Sequence, residues 1–155
     1  MLDALDRKIL RELQRNPQLP MAELAELVGL SHTPCWRRVR KMEREGVIQG
    51  RALLLDPDRL GYPISVYAEL TLKSHDEATL ERFEAMVHDH PQIVECFAMS
   101  GQSDYIMRIL ARSVADYEQF VRTTLLRFPG VGSINSSFAL KVVKVAPGVP
   151  IDQVA

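Results

Sequence analysis

The chain has 155 residues, 46% of them hydrophobic and 25% charged, with a formal net charge of −1. That is ordinary globular composition, enough for one or two small cores. No apolar run approaches the ~18 residues a membrane span needs, and Met1–Asp6 lacks the basic-then-apolar pattern of a secretory signal, so a cytoplasmic protein with no membrane partner is expected.

The charge is unevenly divided. Residues 1–50 carry nine Lys/Arg against seven Asp/Glu, net +2, and residues 51–155 carry ten against thirteen, net −3. A basic head and an acidic body imply two jobs. The two cysteines, Cys35 and Cys96, lie far apart without CxxC or Cys/His spacing, and read as reduced, buried thiols.

The first fifty residues predict three short helices. Asp3 is the expected N-cap of the first, which carries Leu5, Ile9, Leu10 and Leu13 at helical spacing and ends at Asn16-Pro17-Gln18. The second covers Met21 to Val28, with Leu24, Leu27 and Val28 inward. Pro20 stands at its cap position with Glu23 three residues on; proline has neither hydroxyl nor N–H, so no reciprocal capping box can form. Gly29 supplies a left-handed end, Leu30 the apolar residue after it, and Ser31 the cap of the third helix. A three-residue, glycine-bearing turn between short helices is the signature of a helix-turn-helix, whose second helix enters the major groove of DNA.

That third helix, within Ser31–Arg44, holds five Lys/Arg and one acid, net +4. At ~100° per residue, Cys35, Val39 and Met42 form an apolar seam. Thr33, Arg37, Arg40 and Arg44 point the opposite way, flanked by Trp36 and Lys41. A charged outer face is often merely solvated; the turn before it favours a recognition helix, because phosphates attract cations and arginine pairs with guanine edges. Gly46–Arg51 is expected to be a short strand beside it, a wing. Residues 51–63 form a connector in which Ala52–Leu55 is a possible short strand and Asp56-Pro57 and Gly61-Tyr-Pro63 are breakers.

The remainder predicts strand, helix, strand, strand, helix, strand. Ser65–Leu72 alternates Val66, Ala68, Leu70 and Leu72 against Tyr67, Glu69 and Thr71. Ser74 is the expected cap of the next helix, with Glu77 completing a capping box and Leu80, Phe83 and Val87 inward. Ile93–Met99 and Tyr105–Ala111 are strands joined by Ser100–Asp104. Ser113 caps a second helix with Tyr117, Phe120, Val121 and Leu125 inward, ending at Phe128-Pro-Gly130. Ile134–Val143 is the fourth strand. The βαββαβ order is ferredoxin-like, so the fold class is α+β: an N-terminal winged helix-turn-helix and a C-terminal ferredoxin-like domain. The expected boundaries are 1–50, the connector 51–63, the domain 64–146 and a tail 147–155. Apolar residues on both strand faces predict dimerisation through the sheet.

No catalytic constellation stands out among these residues, so an enzyme on a ferredoxin-like dimer is the weaker reading. His88-Asp89-His90 closes a helix before Pro91, where histidine is favourable through the dipole alone, and no metal or cofactor is expected. The Ser100–Asp104 loop has two readings. It is either an ordinary hairpin turn or a site where backbone N–H groups and Asp104 hold the carboxylate and ammonium of an amino acid.

Asp6-Arg-Lys-Ile-Leu10, Glu23-Leu-Ala25, Val28-Gly-Leu-Ser31, Thr33-Pro-Cys35, Arg38-Val-Arg40 and Glu45-Gly-Val-Ile48 resemble the Lrp/AsnC family, the feast/famine regulators. The resemblance continues through Leu53-Leu-Leu-Asp-Pro57, Ser100-Gly-Gln-Ser-Asp-Tyr105 and Leu126-Arg-Phe-Pro-Gly130. It implies a prokaryotic transcription regulator whose dimers assemble further, often to an octamer, and which answers an amino-acid effector. Ser31, His32, Thr33, Trp36, Arg37 and Arg40 would face a double-stranded DNA operator, with Lys41 and Arg44 beside them; Arg38, nearer the seam, would meet the DNA backbone. The family's effector loop maps to Met99, Ser100, Gly101, Gln102, Ser103, Asp104 and Tyr105. Its last strand, also used between subunits, maps to Ser136, Ser137 and Phe138. Where the family usually has an acidic residue after its glycine, this chain has Gln102, which leaves Asp104 as the loop's only carboxylate. Thr33-Pro-Cys-Trp36 and Ser136-Ser-Phe138 resemble the cysteine-responsive branch. The alternative within DNA binding is a ligand-independent architectural protein.

Overall fold

Asp3 starts the fold as the sequence requires. Its carboxylate accepts the Asp6 N–H at 2.8 Å, and the Asp6 carboxylate accepts the Asp3 N–H at 3.2 Å, a reciprocal capping box. The computed structural model describes residues 2–146 and 148–151. They form α1 (Ala4–Arg15), α2 (Met21–Val28), α3 (His32–Arg44), β1 (Ile64–Leu72), α4 (Glu77–Asp89), β2 (Ile93–Ala98), β3 (Tyr105–Ala111), α5 (Val114–Phe120) and β4 (Val131–Phe138). The chain divides into two units, one running to Leu54 and resuming at Lys144, the other Leu55–Val143. The sequence had placed the divisions after residues 50, 63 and 146.

The first unit has one core: Ile9 and Leu13 from α1, Leu24, Ala25 and Val28 from α2, and Cys35, Val39 and Met42 from α3. Leu27, expected inward, is half exposed, because the inward face of α2 is centred between Leu24, Ala25 and Val28. Gly29, at φ +75°, ends α2; its N–H bonds the Glu26 carbonyl at 3.1 Å and the Leu30 N–H the Ala25 carbonyl at 2.9 Å. Ser31 holds the extended cap position of α3, but its hydroxyl makes no capping bond, contrary to expectation.

The wing strand is also not formed. After α3 the chain turns at Gly46, and the N–H groups of Val47 and Ile48 both bond the Met42 carbonyl, at 2.9 and 3.2 Å. The segment thus folds back on the helix end and joins no strand among the described residues. Ala52–Leu55 is not a strand either: it has no paired neighbour among the described residues, and Leu53, Leu54 and Leu55 are exposed. Val149, within the stretch read from the sequence as a tail, bonds to this unit. The Gln14 side-chain amide donates to the Val149 carbonyl at 2.9 Å and accepts the Val149 N–H at 3.1 Å. A groove of about 550 Å³ lies there, between Leu10 and Leu13 of α1, Ile48 and Leu54, and Val149 and Ile151.

The second unit is a four-stranded antiparallel sheet in the order β2-β3-β1-β4. The alternation read in β1 holds: Val66, Ala68, Leu70 and Leu72 are buried on one face with Tyr105, Met107, Ile109 and Ala111 of β3. Phe83 of α4 and Tyr117, Phe120 and Leu125 cover them. Past Phe120 the helix widens into a π turn over Val121–Leu125, where the Leu126 N–H bonds the Val121 carbonyl at 2.8 Å. The opposite face carries Tyr67, Glu69, Arg108 and Ser137, with Tyr67 and Phe97 exposed.

Two details differ from expectation. Asp76, not Ser74, caps α4: its carboxylate accepts the Thr79 N–H at 2.9 Å and the Thr79 hydroxyl at 2.8 Å, while Ser74 donates to Asp76. Ser74 is one residue pair too early, and Glu77 is the first helical residue rather than the third, so no Ser74–Glu77 box forms. β4 ends at Phe138 instead of Val143. Its partner β1 begins at Ile64, directly after Pro63, so beyond the bond from Ala139 N–H to the Ser65 carbonyl there is no ladder left to join. Leu140 and Val143 are consequently exposed.

Candidate functional site

α3 is held by its buried seam and offers the rest of its surface to solvent. Ser31, His32, Thr33, Trp36, Arg37, Arg40, Lys41 and Arg44 are exposed, while Cys35, Val39 and Met42 are buried. The outward cations differ in freedom. Arg40 lies over the Trp36 ring, 5.6 Å from its centroid, and pairs with Glu43 at 3.0 Å. Lys41 faces Glu45 at 3.9 Å. Among the described residues Arg37 and Arg44 have no ion-pair partner, so their charges meet an approaching polyanion without first leaving a carboxylate.

Arg38 does not belong with them. One of its Nη atoms donates to Asp3 at 2.6 Å and to Asp6 at 2.7 Å, and the side chain is largely covered. Its position beside the seam turns it toward the N-terminus of α1, where it joins α3 to α1. Asp6, then Asp3, raise the Arg38 pKa further. The Asp6 N–H, then Arg38, hold the Asp3 carboxyl below its usual range. Burial raises the Cys35 thiol.

The expected effector residues separate into two groups within one protomer. The first is the loop after β2. The Met99 N–H bonds the Asp104 carbonyl at 2.8 Å and the Asp104 N–H the Leu70 carbonyl at 2.9 Å, which pins Ser100–Ser103 as an exposed hairpin rim beside the end of β1. The Asp104 carboxylate accepts the Leu72 N–H at 2.6 Å through one oxygen and meets His75 Nε2 at 2.8 Å through the other. The Leu72 N–H, then His75, keep this carboxyl below its usual range. Tyr105, expected at the loop, is instead buried on the helix side of β3; its hydroxyl donates to Glu84 at 3.0 Å, and burial, then Glu84, push its pKa up to about 12.

The second group lies farther along the sheet. Ser136 pairs with Ala68 and Phe138 with Val66, four and six residues from Leu72, or about 13 and 20 Å along the strand. Both face the helices: the Ser136 hydroxyl meets the Tyr117 hydroxyl at 2.5 Å, and the Phe138 ring stands edge-on to Tyr117 at 5.5 Å. Ser137 points to the other face. A single protomer therefore does not bring the loop and Ser136–Phe138 together.

His75 was not singled out in the sequence. Its partner stands 29 residues away, and only the β1–α4 turn brings the two together. Among the described residues no cluster of three His, Cys, Asp or Glu could hold a metal. His90 ends α4 with its Nδ1 on the Met86 carbonyl at 2.7 Å.

Comparison with known proteins places both units. Residues 2–49 match the model for winged helix-turn-helix DNA binding, and residues 65–149 match the Lrp/AsnC ligand binding domain. The chain is 42% identical over 150 residues to a Bkd operon transcriptional regulator of Pseudomonas aeruginosa, covering 97% of this chain and 98% of that one. It is 41% identical to a leucine-responsive regulatory protein of Haemophilus influenzae, covering 92% and 86%. A Neisseria meningitidis transcriptional regulator solved as an L-Met complex superposes with a TM-score of 0.92 at 34% identity, over 98% of each chain.

Proposed function

Since this chain belongs to the Lrp/AsnC family of transcriptional regulators, we propose that α3 reads an operator through Thr33, Trp36, Arg37, Arg40 and Arg44, and that an amino acid bound between subunits sets how strongly it does so. The observation that carries the reading is on α3: a helix fixed by three buried side chains presents Arg37 and Arg44 to solvent, without an ion-pair partner among the described residues, on a chain with a separate ligand-binding domain. Leucine and methionine stand in the names of the similar proteins, which supports an amino-acid effector here; cysteine remains in the panel from the Thr33–Trp36 and Ser136–Phe138 pattern.

The 13–20 Å separation of the loop from Ser136–Phe138 supports a site shared between copies, the loop from one and the last strand from another. Homodimers assembling further, to an octamer, would place the α3 helices on half-sites about one helical turn apart, or a multiple of it. Effector binding would shift the population of assemblies and so the spacing of those helices. Among the described residues no helix is long and apolar enough to cross a membrane; the proposed action on DNA is what supports a cytoplasmic location. The test follows DNA affinity and assembly mass together while leucine, methionine and cysteine are titrated. A response to one of them is expected. Indifference to every amino acid would sink the effector role, and equal affinity for operator and random duplex at fixed salt would sink sequence reading in favour of an architectural role.

A further inference from the structure

The loop's single carboxylate is already occupied. Asp104 holds the Leu72 N–H with one oxygen, a bond that fastens the loop to β1, and His75 with the other. The two partners differ in permanence. The Leu72 N–H belongs to a strand and cannot leave, whereas the His75 side chain is 62% exposed and hangs from the turn between β1 and α4. Asp104 is thus a carboxylate with one fixed oxygen and one oxygen whose partner can be exchanged.

We infer that His75 is a gate on the effector site: it occupies the Asp104 oxygen that an amino-acid ammonium would take, and the ammonium binds by displacing it. The inference rests on the reading that the Ser100–Asp104 loop receives the effector. An ammonium is the natural replacement, being a compact cation with three donors. His75 competes best when it carries its own charge. The ionisable groups around it are Lys73, Asp76 and Glu77 on its own stretch and Asp104 from the loop; Asp76 is taken up by Ser74 and Thr79, and Phe128–Val131, which bonds the Lys73 N–H, carries no ionisable side chain. Charging His75 therefore strengthens the one pair it makes, and the effector is opposed more at acid pH than at alkaline pH.

The test is calorimetric titration of the full chain with L-leucine, L-methionine and L-cysteine at about pH 5.5 and 8, below and above the range in which an imidazole ordinarily takes up its proton. The unsubstituted protein is expected to bind the responding amino acid more weakly at the lower pH. His75→Ala should bind it about 2- to 5-fold more tightly at the lower pH, the size of an exposed ion pair, and lose the difference between the two. His75→Gln, which keeps a donor without the charge, should also lose the pH difference. 4-Methylpentanoate, leucine without its ammonium, should gain nothing from either change. Binding that stays pH-dependent in His75→Ala, or that weakens at both pH values, overturns the gate while leaving the effector site standing; so does an equal gain for 4-methylpentanoate. If none of the three amino acids binds the unsubstituted chain at pH 8, the reading of the loop as an effector site fails, and the gate with it.

Discussion

Arg38 on α3 and Asp6 on α1 meet at 2.7 Å, with the Asp6 side chain almost fully covered. The same guanidinium reaches Asp3, whose carboxylate caps α1. One side chain thereby ties the reading helix to the start of the fold. Arg38→Ala leaves a covered carboxylate without its charge partner and should cost about 1–3 kcal/mol of stability. Denaturant unfolding of the full chain measures it. The slope of DNA affinity against salt should stay as it was.

Arg37 and Arg44 should behave in the opposite way. Both are exposed and unpaired among the described residues. Replacing either with alanine should leave stability within about 0.5 kcal/mol and weaken DNA binding. Loss of a phosphate contact lowers the salt slope by about one; loss of a base contact costs about 1–3 kcal/mol at one base position. Fluorescence anisotropy over a salt series, with operator variants, separates the two. A variant that loses stability instead of DNA affinity would exchange its role with Arg38.

Acid should destabilise the ferredoxin-like unit within a narrow window. Asp76 is held at about 2 by the Ser74 and Thr79 hydroxyls and the Thr79 N–H. Asp104 is lowered by the Leu72 N–H and His75, and Asp116 by the Arg112 side chain and N–H. Each contributes stability that is complete above its unfolded value, roughly 4, and disappears as pH falls through the folded one. The melting temperature should therefore decline from about pH 4 toward pH 2 on account of these groups. Asp76→Asn and Asp104→Asn should make that decline shallower.

Neither cysteine should act as a sensor. Cys35 is fully buried in the seam of α3, and Cys96, half-buried on β2, is raised to about 11 by burial and then by Glu84. At pH 8 the Cys96 thiolate fraction is then about one in a thousand. Alkylation followed by mass spectrometry should show Cys96 reacting on the order of a hundredfold more slowly than an unperturbed exposed thiol, and Cys35 reacting only on unfolding.

The Gln14 bonds to Val149 make a further prediction. Gln14→Ala removes the acceptor of the Val149 N–H, and hydrogen exchange at that amide should accelerate while exchange within α1 stays unchanged.

Much of this architecture can be read in the chain because it is set by neighbours. The seam Cys35, Val39, Met42 and the alternation of Val66, Ala68, Leu70 and Leu72 follow from 3.6- and 2-residue periods that burial enforces. The Gly29 turn follows from its need for positive φ. The errors occurred where a distant partner decides. Gly46–Arg51 and residues 139–143 look like strands by composition, yet a strand exists only where another can pair with it. That Arg38 is taken by Asp3 and Asp6 is likewise out of local reach, because the two acids lie 35 and 32 residues earlier. The Ser100–Asp104 loop was legible as a hairpin between two strands, but the occupation of Asp104 by Leu72 and His75 depends on a register that no local pattern reveals.

The Gln14–Val149 clasp also sets an order of events during synthesis. The buried core of the head runs from Ile9 to Met42, with Leu2 and Ile48 packed against it, so it has these parts once the first fifty or so residues have emerged, and domains fold in that order. Val149 is added 135 residues after Gln14, with β1 through β4 made in between. A head with its tail engaged is thus one whose sensing domain has already been translated, while a head released by premature termination would keep its DNA-facing helix and lack that closure.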